Sequence, residues 1–380
     1  MKTFYALCLV LFNSILFAQS GFGYNGYLEN LQTVWAPKEI NQWVFSNSIS
    51  NRINFSWYAS DAVTFNASLR SIFDYGQFVQ IIPGYADIVS KDNGYFNLTK
   101  KIASDKSYVL YSNIDRLNLI YSKNNIEVQL GRQRINLGKN LVWTPNDIFN
   151  ASSFLNFDYV EKPGSDAVRI QYYTGIASSI QFAYKLNSNN KATAAGIIKI
   201  NQWDYDFQFL GGIMEDDYIL GFGWSGQISS AGFSGEITYF RNKDNQVYNR
   251  NILVAALSGN YTFSNSLFIH GEFLYNSAGK TKNAGRFNNI FTLQYSAKNL
   301  SPAKYSAFSE ISYPITPLIT ASTSSIFNPS DKSFYIGPSV EFSLTSNIYL
   351  LVAGQFFIGD KDTEWGNFGK FYFLRLKWNF

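Results

Sequence analysis

The chain closes on FYFLRLKWNF, residues 371–380, and its last residue is an aromatic. Tyr372, Leu374, Leu376, Trp378 and Phe380 share one parity, while Arg375, Lys377 and Asn379 fall on the other. This is the period of a β-strand with one apolar and one polar face. Chain ends usually fray, because ordering them costs conformational entropy. A terminal strand this apolar must instead be paired and enclosed.

The same period runs along the chain. NRINFSWY sets Ile53, Phe55 and Trp57 against Arg52, Asn54 and Ser56, and AVTFNASLR sets Val63, Phe65, Ala67 and Leu69 against Thr64, Asn66, Ser68 and Arg70. DRLNLIYS, DAVRIQYY, SIQFAYKL, DYDFQFL, FSGEITYF, LFIHGEFLY, FYIGPSVEFSL and NIYLLVAGQFF repeat the pattern. These segments approach the roughly ten residues of a tilted membrane strand. Convincing amphipathic helices are absent.

Composition agrees with a wall that is apolar on one side only. Aromatic residues make up 18% of the 380, and charged residues 15%, below the roughly one quarter usual in soluble domains. The formal charge of +4, from 31 basic and 27 acidic residues, is too balanced to argue for nucleic acid. The first residues, MKTFYALCLVLFNSILFAQS, read as a cleaved signal peptide over 1–18: a positive Lys2, an apolar run Phe4–Phe17 and a small-residue site at Ala18. Cys8, the only cysteine, would be lost with it, leaving no disulfide.

Short turns alternate with long insertions. Turns fall at Ala59-Ser60-Asp61, Lys123-Asn124-Asn125, Gly175-Ile176-Ala177, Ser264-Asn265-Ser266 and Thr345-Ser346-Asn347, and YPITPL, 313–318, reads as another. Insertions fall near 73–106, 138–164, 278–303 and 359–366, with the oily 290–296 stretch inside the third. One rim of turns and one of loops predicts an all-β, transmembrane antiparallel β-barrel over 19–380, of about 18 strands, with about 16 the nearest alternative. The final strand then pairs with the first, because an open edge cannot face lipid. This ending resembles the C-terminal strand, finishing on Phe, of outer-membrane β-barrels of Gram-negative bacteria. The resemblance implies that Phe380 is an assembly signal read by the barrel-assembly machinery, in an outer membrane of lipid and lipopolysaccharide.

Residues 124–173 carry a second resemblance. Gly131-Arg132-Gln133, Gly138, Pro145-Asn146-Asp147 and Pro163-Gly164 are similar to a segment of porin-like outer-membrane barrels, in which a Gly-Arg-Gln strand end precedes an Asn/Pro/Asp loop. Those relatives often carry Trp where Leu137 stands. The likeness covers about fifty residues and implies a passive channel for small hydrophilic solutes.

Physically, a 138–164 loop holding Trp143, Phe149 and Phe154 is too oily to extend into water, and is expected to fold into the barrel mouth as a constriction; capping the rim is the alternative. Its candidate residues are Trp143, Asn146, Asp147, Phe149, Asp158 and Glu161. Parity places Arg52, Arg70, Arg116, Glu127, Gln129, Arg169 and Gln171 on the lumen wall. The arginines either favour anions or pair with Glu127, Asp115 and Asp166 to stiffen the wall. Arg132 and Arg134 fall on the lipid parity, so a bulge near Gly131 must re-aim them or they lie above the hydrocarbon.

Enzymatic readings are weak. His270 is the only histidine and faces inward with Glu272, away from any lipid substrate of an embedded hydrolase. A closed barrel binding surface polysaccharide or another partner is the stronger rival. The acidic Glu215-Asp216-Asp217 and Asp360, Asp362, Glu364 could hold Ca²⁺ with oxygen ligands, but solvated surface charge is the stronger reading. No cofactor is expected.

Overall fold

The computed structural model describes residues 21–38, 42–156, 161–244, 251–285 and 295–380. The signal-peptide expectation, Asp158 and residues 290–294 lie outside these ranges.

Alternation becomes nineteen antiparallel strands. They are β1 (Phe22–Ala36), β2 (Val44–Ser60), β3 (Val63–Gly76), β4 (Thr99–Asp105), β5 (Tyr108–Lys123), β6 (Ile126–Gln133), β7 (Ser165–Tyr173), β8 (Ser179–Leu186), β9 (Ala192–Gln202) and β10 (Tyr205–Met214). The second half holds β11 (Asp217–Ile228), β12 (Ala231–Asn242), β13 (Ile252–Thr262), β14 (Phe268–Asn276), β15 (Tyr305–Thr316), β16 (Ile319–Phe327), β17 (Phe334–Thr345), β18 (Ile348–Ile358) and β19 (Lys370–Asn379). β4 pairs only with the upper half of β5, whose lower half pairs with β6. Without β4, eighteen strands close the wall.

β1 and β19 make the closure, with Tyr27 opposite Asn379 and Ala36 opposite Lys370. Gly26 and Phe380 exchange backbone hydrogen bonds of 2.9 and 3.0 Å at the seam. A Cβ on Gly26 would run into the Arg52 carbonyl and the Phe380 ring, so the seam needs glycine. The parity read from the last ten residues holds: Tyr372, Leu374, Leu376, Trp378 and Phe380 face outward, each 37–46% exposed. Arg375 is buried inward, and the Lys377 ammonium sits 3.9 Å above the Tyr27 ring.

Outward aromatics form two belts. Phe22, Phe55, Trp57, Trp378 and Phe380 lie toward the rim of tight turns, while Trp43, Tyr372, Tyr275 and Tyr305 lie toward the rim of loops. Isoleucine, leucine, valine and phenylalanine fill most of the band between, as a lipid-facing wall requires. On the tight rim, Trp203 and Asp204 both take positive φ, 55° and 62°, as a two-residue hairpin turn demands.

Two sequence readings are corrected. YPITPL is mostly strand: β15 runs through an irregularity at Pro314–Thr316, and only Pro317-Leu318 turns. The 73–106 insertion is shorter, because β3 continues to Gly76 and Thr99 begins the β4–β5 hairpin. Two helical turns, Gln77–Ile81 and Tyr85–Val89, fill the remainder.

Candidate functional site in the lumen

The segment after β6 enters the barrel. Glu236, inward on β12, accepts the backbone N–H groups of Lys139, Asn140 (2.8 Å) and Asn146 (2.8 Å). Glu272, inward on β14, accepts those of Val142 (3.2 Å) and Trp143 (2.6 Å). Gln208 on β10 donates to the Leu137 carbonyl at 2.9 Å, and Gln355 on β18 donates to that of Leu155 at 3.2 Å. Each wall group lies on the inward parity of its strand. Backbone amides that leave water need such partners, since an unmet buried amide costs about 1–3 kcal/mol.

Shape allows the approach. Gly221 and Gly223 face inward on β11, and a Cβ on either would come within 2.7 Å of the Asn146 amide. Asn146 itself donates to the Phe222 carbonyl at 3.1 Å and accepts from Thr238 Oγ1 at 2.7 Å. Apolar packing completes the docking. Trp143 and Phe154 meet the Phe308 ring edge-on, with centroids 6.3 and 4.8 Å away. Trp35, Phe78, Tyr335, Phe357, Trp365, Phe368 and Phe371 extend this cluster beneath the loop rim.

The returning limb lies against the opposite wall. Arg116 Nη2 donates to the Glu161 and Lys162 carbonyls at 2.6 and 2.9 Å. Tyr27 donates its hydroxyl to Glu161 Oε2 at 3.4 Å, and Arg52 Nε lies 3.9 Å from Glu161 Oε1. Arg52 is buried and pairs with Asp115. Asp115 reaches the lumen through a β-bulge: Ser68 opposes Arg116 while Leu69 opposes Ile114, so Asp115 is an extra residue and both charges face in.

A cleft of about 310 Å³ remains on this side, lined by Asn54, Ser56, Asn66, Ser68, Arg116, Asn118, Gln129 and Arg134. A hydrogen-bonded row crosses it: Ser56 donates to Asn66 Oδ1 at 2.7 Å, and Gln129 donates to Asn118 Oδ1 at 3.0 Å. Above the cleft, burial pushes the Asp147 carboxyl up to about 6, although the Arg134 and Lys162 charges favour its ionised form.

The expected site residues therefore separate. Arg52, Arg70, Arg116, Glu127, Gln129, Arg169 and Gln171 all lie on inward-facing positions. Arg169 pairs with Glu127, and both are partly exposed. Trp143, Asn146 and Phe149 are buried against the β8–β15 wall, with Lys185 donating to the Phe149 carbonyl. Glu161 meets the arginine side. Arg134, beyond the end of β6, turns into the cleft. Arg132 keeps its lipid parity but is covered by residues 92–96: it donates to both Asp166 oxygens at 2.7 and 2.8 Å and to Asp92 at 2.8 Å.

No family model matches the chain, and no curated protein matches it. Solved structures do. The outer membrane protein OprD from Pseudomonas aeruginosa is similar with a TM-score of 0.60 at 9% identity, over 95% of this chain and 94% of that one. OccAB4 from Acinetobacter baumannii is similar with a TM-score of 0.58 at 9% identity, over 96% and 99%. OccD3 (OpdP) from Pseudomonas aeruginosa gives 0.55 at 9%, over 94% and 91%. The chain has the barrel fold of OprD.

That barrel explains what the sequence reading missed. Glu236, Glu272, Gln208 and Gln355 stand in the sequence as polar residues on the inward parity of apolar strands, but their partners are backbone groups of a distant loop, which no spacing reveals. The acidic rim groups gather no metal cluster among the described residues. Asp216 pairs with Lys191, and Glu364 points inward to accept from Ser301 (2.8 Å) and Asn328 (3.0 Å). His270 is buried with Ser258 (2.9 Å) and Glu272 (3.5 Å).

Proposed function

We propose that this chain is an outer-membrane channel for passive diffusion of small hydrophilic solutes, with residues 134–164 as its constriction loop. The carrying observation is the tether pair Glu236 and Glu272, which holds the loop across the inside of a closed eighteen-strand barrel and leaves a polar cleft along β2–β6. A barrel this wide has room for water around such a loop. The belts and the outward apolar band fit a membrane wall, the loop rim facing outside and both chain ends the periplasm.

Selectivity in this reading is a mild anion preference. Arg116 and Arg134 line the cleft, but Asp115 neutralises Arg52 and Glu127 neutralises Arg169. Opposed charges produce a transverse field rather than a purely cationic ring, so neutral solutes also pass. His270 and Ser258 serve as lumen hydrogen-bonding groups, because the imidazole is enclosed and faces away from lipid. Phe380 acts in assembly at the β1–β19 seam.

Planar-bilayer recording of the purified chain tests the channel. Stable conductance steps are expected. A folded barrel that inserts without conducting would overturn the reading in favour of a closed, glycan- or partner-binding barrel.

A further inference from the structure

Two rows of inward polar residues cross the wall of the cleft. In the first, Ser56 on β2 stands opposite Asn66 on β3, and Asn66 opposite Asn118 on β5. In the second, one inward position further along each strand, Asn54 stands opposite Ser68, and Ser68 opposite Arg116. Neighbouring strands lie about 4.8 Å apart. The grid therefore repeats its hydrogen-bonding groups at about the span of the oxygens across a six-membered sugar ring. Its volume of about 310 Å³ takes one such ring rather than a chain of them.

Much of the grid is satisfied from within. Arg116 donates to the Asp115, Glu161 and Lys162 carbonyls, and Asn118 accepts from Asn66 and Gln129. Asn54 accepts from Arg52 Nε and donates to Asn25, both at 2.8 Å. What stays open is mixed in kind. Among the described residues Gln129 Oε1 accepts from nothing and Ser68 Oγ has no partner, while Ser56 gives its proton to Asn66 and keeps its lone pairs. Arg134 lines the same cleft, and its hydrogen bond to the Glu161 carbonyl is stretched to 3.5 Å. A carboxylate or a halide only accepts, so it suits Arg134 and Ser68 but leaves the Gln129 and Ser56 oxygens unmet. A hydroxyl donates and accepts, and meets all four.

We propose that this cleft binds a neutral polyhydroxylated solute the size of one monosaccharide, held by Ser56, Ser68, Gln129 and Arg134. The proposal rests on the channel reading for the solute's passage, but binding in the cleft does not require conductance. Arg134 presents several donors in one plane, which two adjacent hydroxyls accept together. Trp143 and Phe149 of the loop are packed on the other wall, so contact with the solute is polar and its release fast.

Saturation-transfer NMR of the purified chain in lipid nanodiscs, with D-glucose as the probe, tests the site. Glucose should give a saturable signal that an equal concentration of acetate does not displace. Ser68→Ala combined with Gln129→Leu should weaken glucose binding about tenfold, the loss expected for two hydrogen bonds. Ser225→Ala, inward on β11 across the barrel, should leave it unchanged. In planar bilayers, glucose should add brief current blockades to the wild type and fewer to the double variant. An absent glucose signal, displacement by acetate, or a double variant that binds as tightly as the wild type would each overturn the proposal. Conduction without glucose binding would sink the site and keep the channel; glucose binding by a barrel that does not conduct would do the reverse. If the double variant no longer shifts on boiling, the wild-type competition with acetate still decides.

Discussion

Glu236 Oε2 accepts the Asn146 backbone N–H at 2.8 Å, joining the middle of β12 to the loop between β6 and β7. The other oxygen of the same carboxylate receives Lys139 and Asn140. One side chain thus satisfies three buried donors from a loop that has no ladder partners of its own.

Removing it should free the loop. Glu236→Ala leaves three buried N–H groups unmet, a destabilisation of about 3 kcal/mol or more by the usual cost of such losses. The strand itself keeps its backbone ladder, so the barrel should still fold and shift on boiling. Larger and noisier conductance steps are expected, with new protease cleavage between 134 and 156. Unchanged single-channel traces would separate the tether from the constriction.

Charge on the facing wall should matter less than a count of arginines suggests. Arg116 is committed to the Glu161 and Lys162 carbonyls and Arg169 to Glu127. Arg116→Ala with Arg169→Ala should shift reversal potential in a salt gradient toward cations by several millivolts, and the shift should shrink as salt screens the field. Because Arg116 also holds the returning limb, conductance noise should rise as well. If neither selectivity nor noise moves, both arginines are only wall staples.

Closure depends on the last residue meeting Gly26. Deleting Phe380 removes both backbone hydrogen bonds of that pair and an outward ring that packs on Trp378 at 5.4 Å. Gly26→Val pushes a side chain into the same seam. Both changes should lower the yield of heat-modifiable barrel in outer membranes. Normal assembly of the deletion would remove Phe380 from any role in closure.

The barrel itself was legible because lipid on one side and water on the other impose a two-residue period on every strand, and the final FYFLRLKWNF shows it without interruption. The bulge at Asp115 was not legible: one extra residue in β5 leaves Leu117, Leu119 and Tyr121 on their expected face and shows only in pairing. Arg132 was the reverse case. Its lipid-side parity was read correctly, but its cover, Asp92 and the Phe96 carbonyl, comes from a distant loop. Trp143 and Phe149 stood out by their oiliness, yet oiliness alone does not say whether a ring faces the passage or the wall. Packing on Phe308 and the Lys185 contact put them on the wall.

Buried acids in the rim loops make stability depend on pH in an unusual direction. Burial pushes the Glu364 carboxyl up to about 8, and the neighbouring Asp331 charge adds to the rise, against the hydrogen bonds from Ser301 and Asn328. A carboxyl whose folded pKa is raised holds a proton that the unfolded chain has released. Its contribution is complete below the ordinary carboxylate range and is lost as pH climbs through about 8. The barrel in detergent should therefore melt at a higher temperature at pH 6 than at pH 9, by a free energy on the order of a few kcal/mol. Glu364→Gln keeps an acceptor for Ser301 and cannot ionise, so it should flatten the profile across that window while leaving the melt at pH 6 nearly unchanged. A wild-type melting temperature that rises between pH 7 and 9, or a variant as pH-sensitive as the wild type, would show that Glu364 is already ionised in the folded barrel.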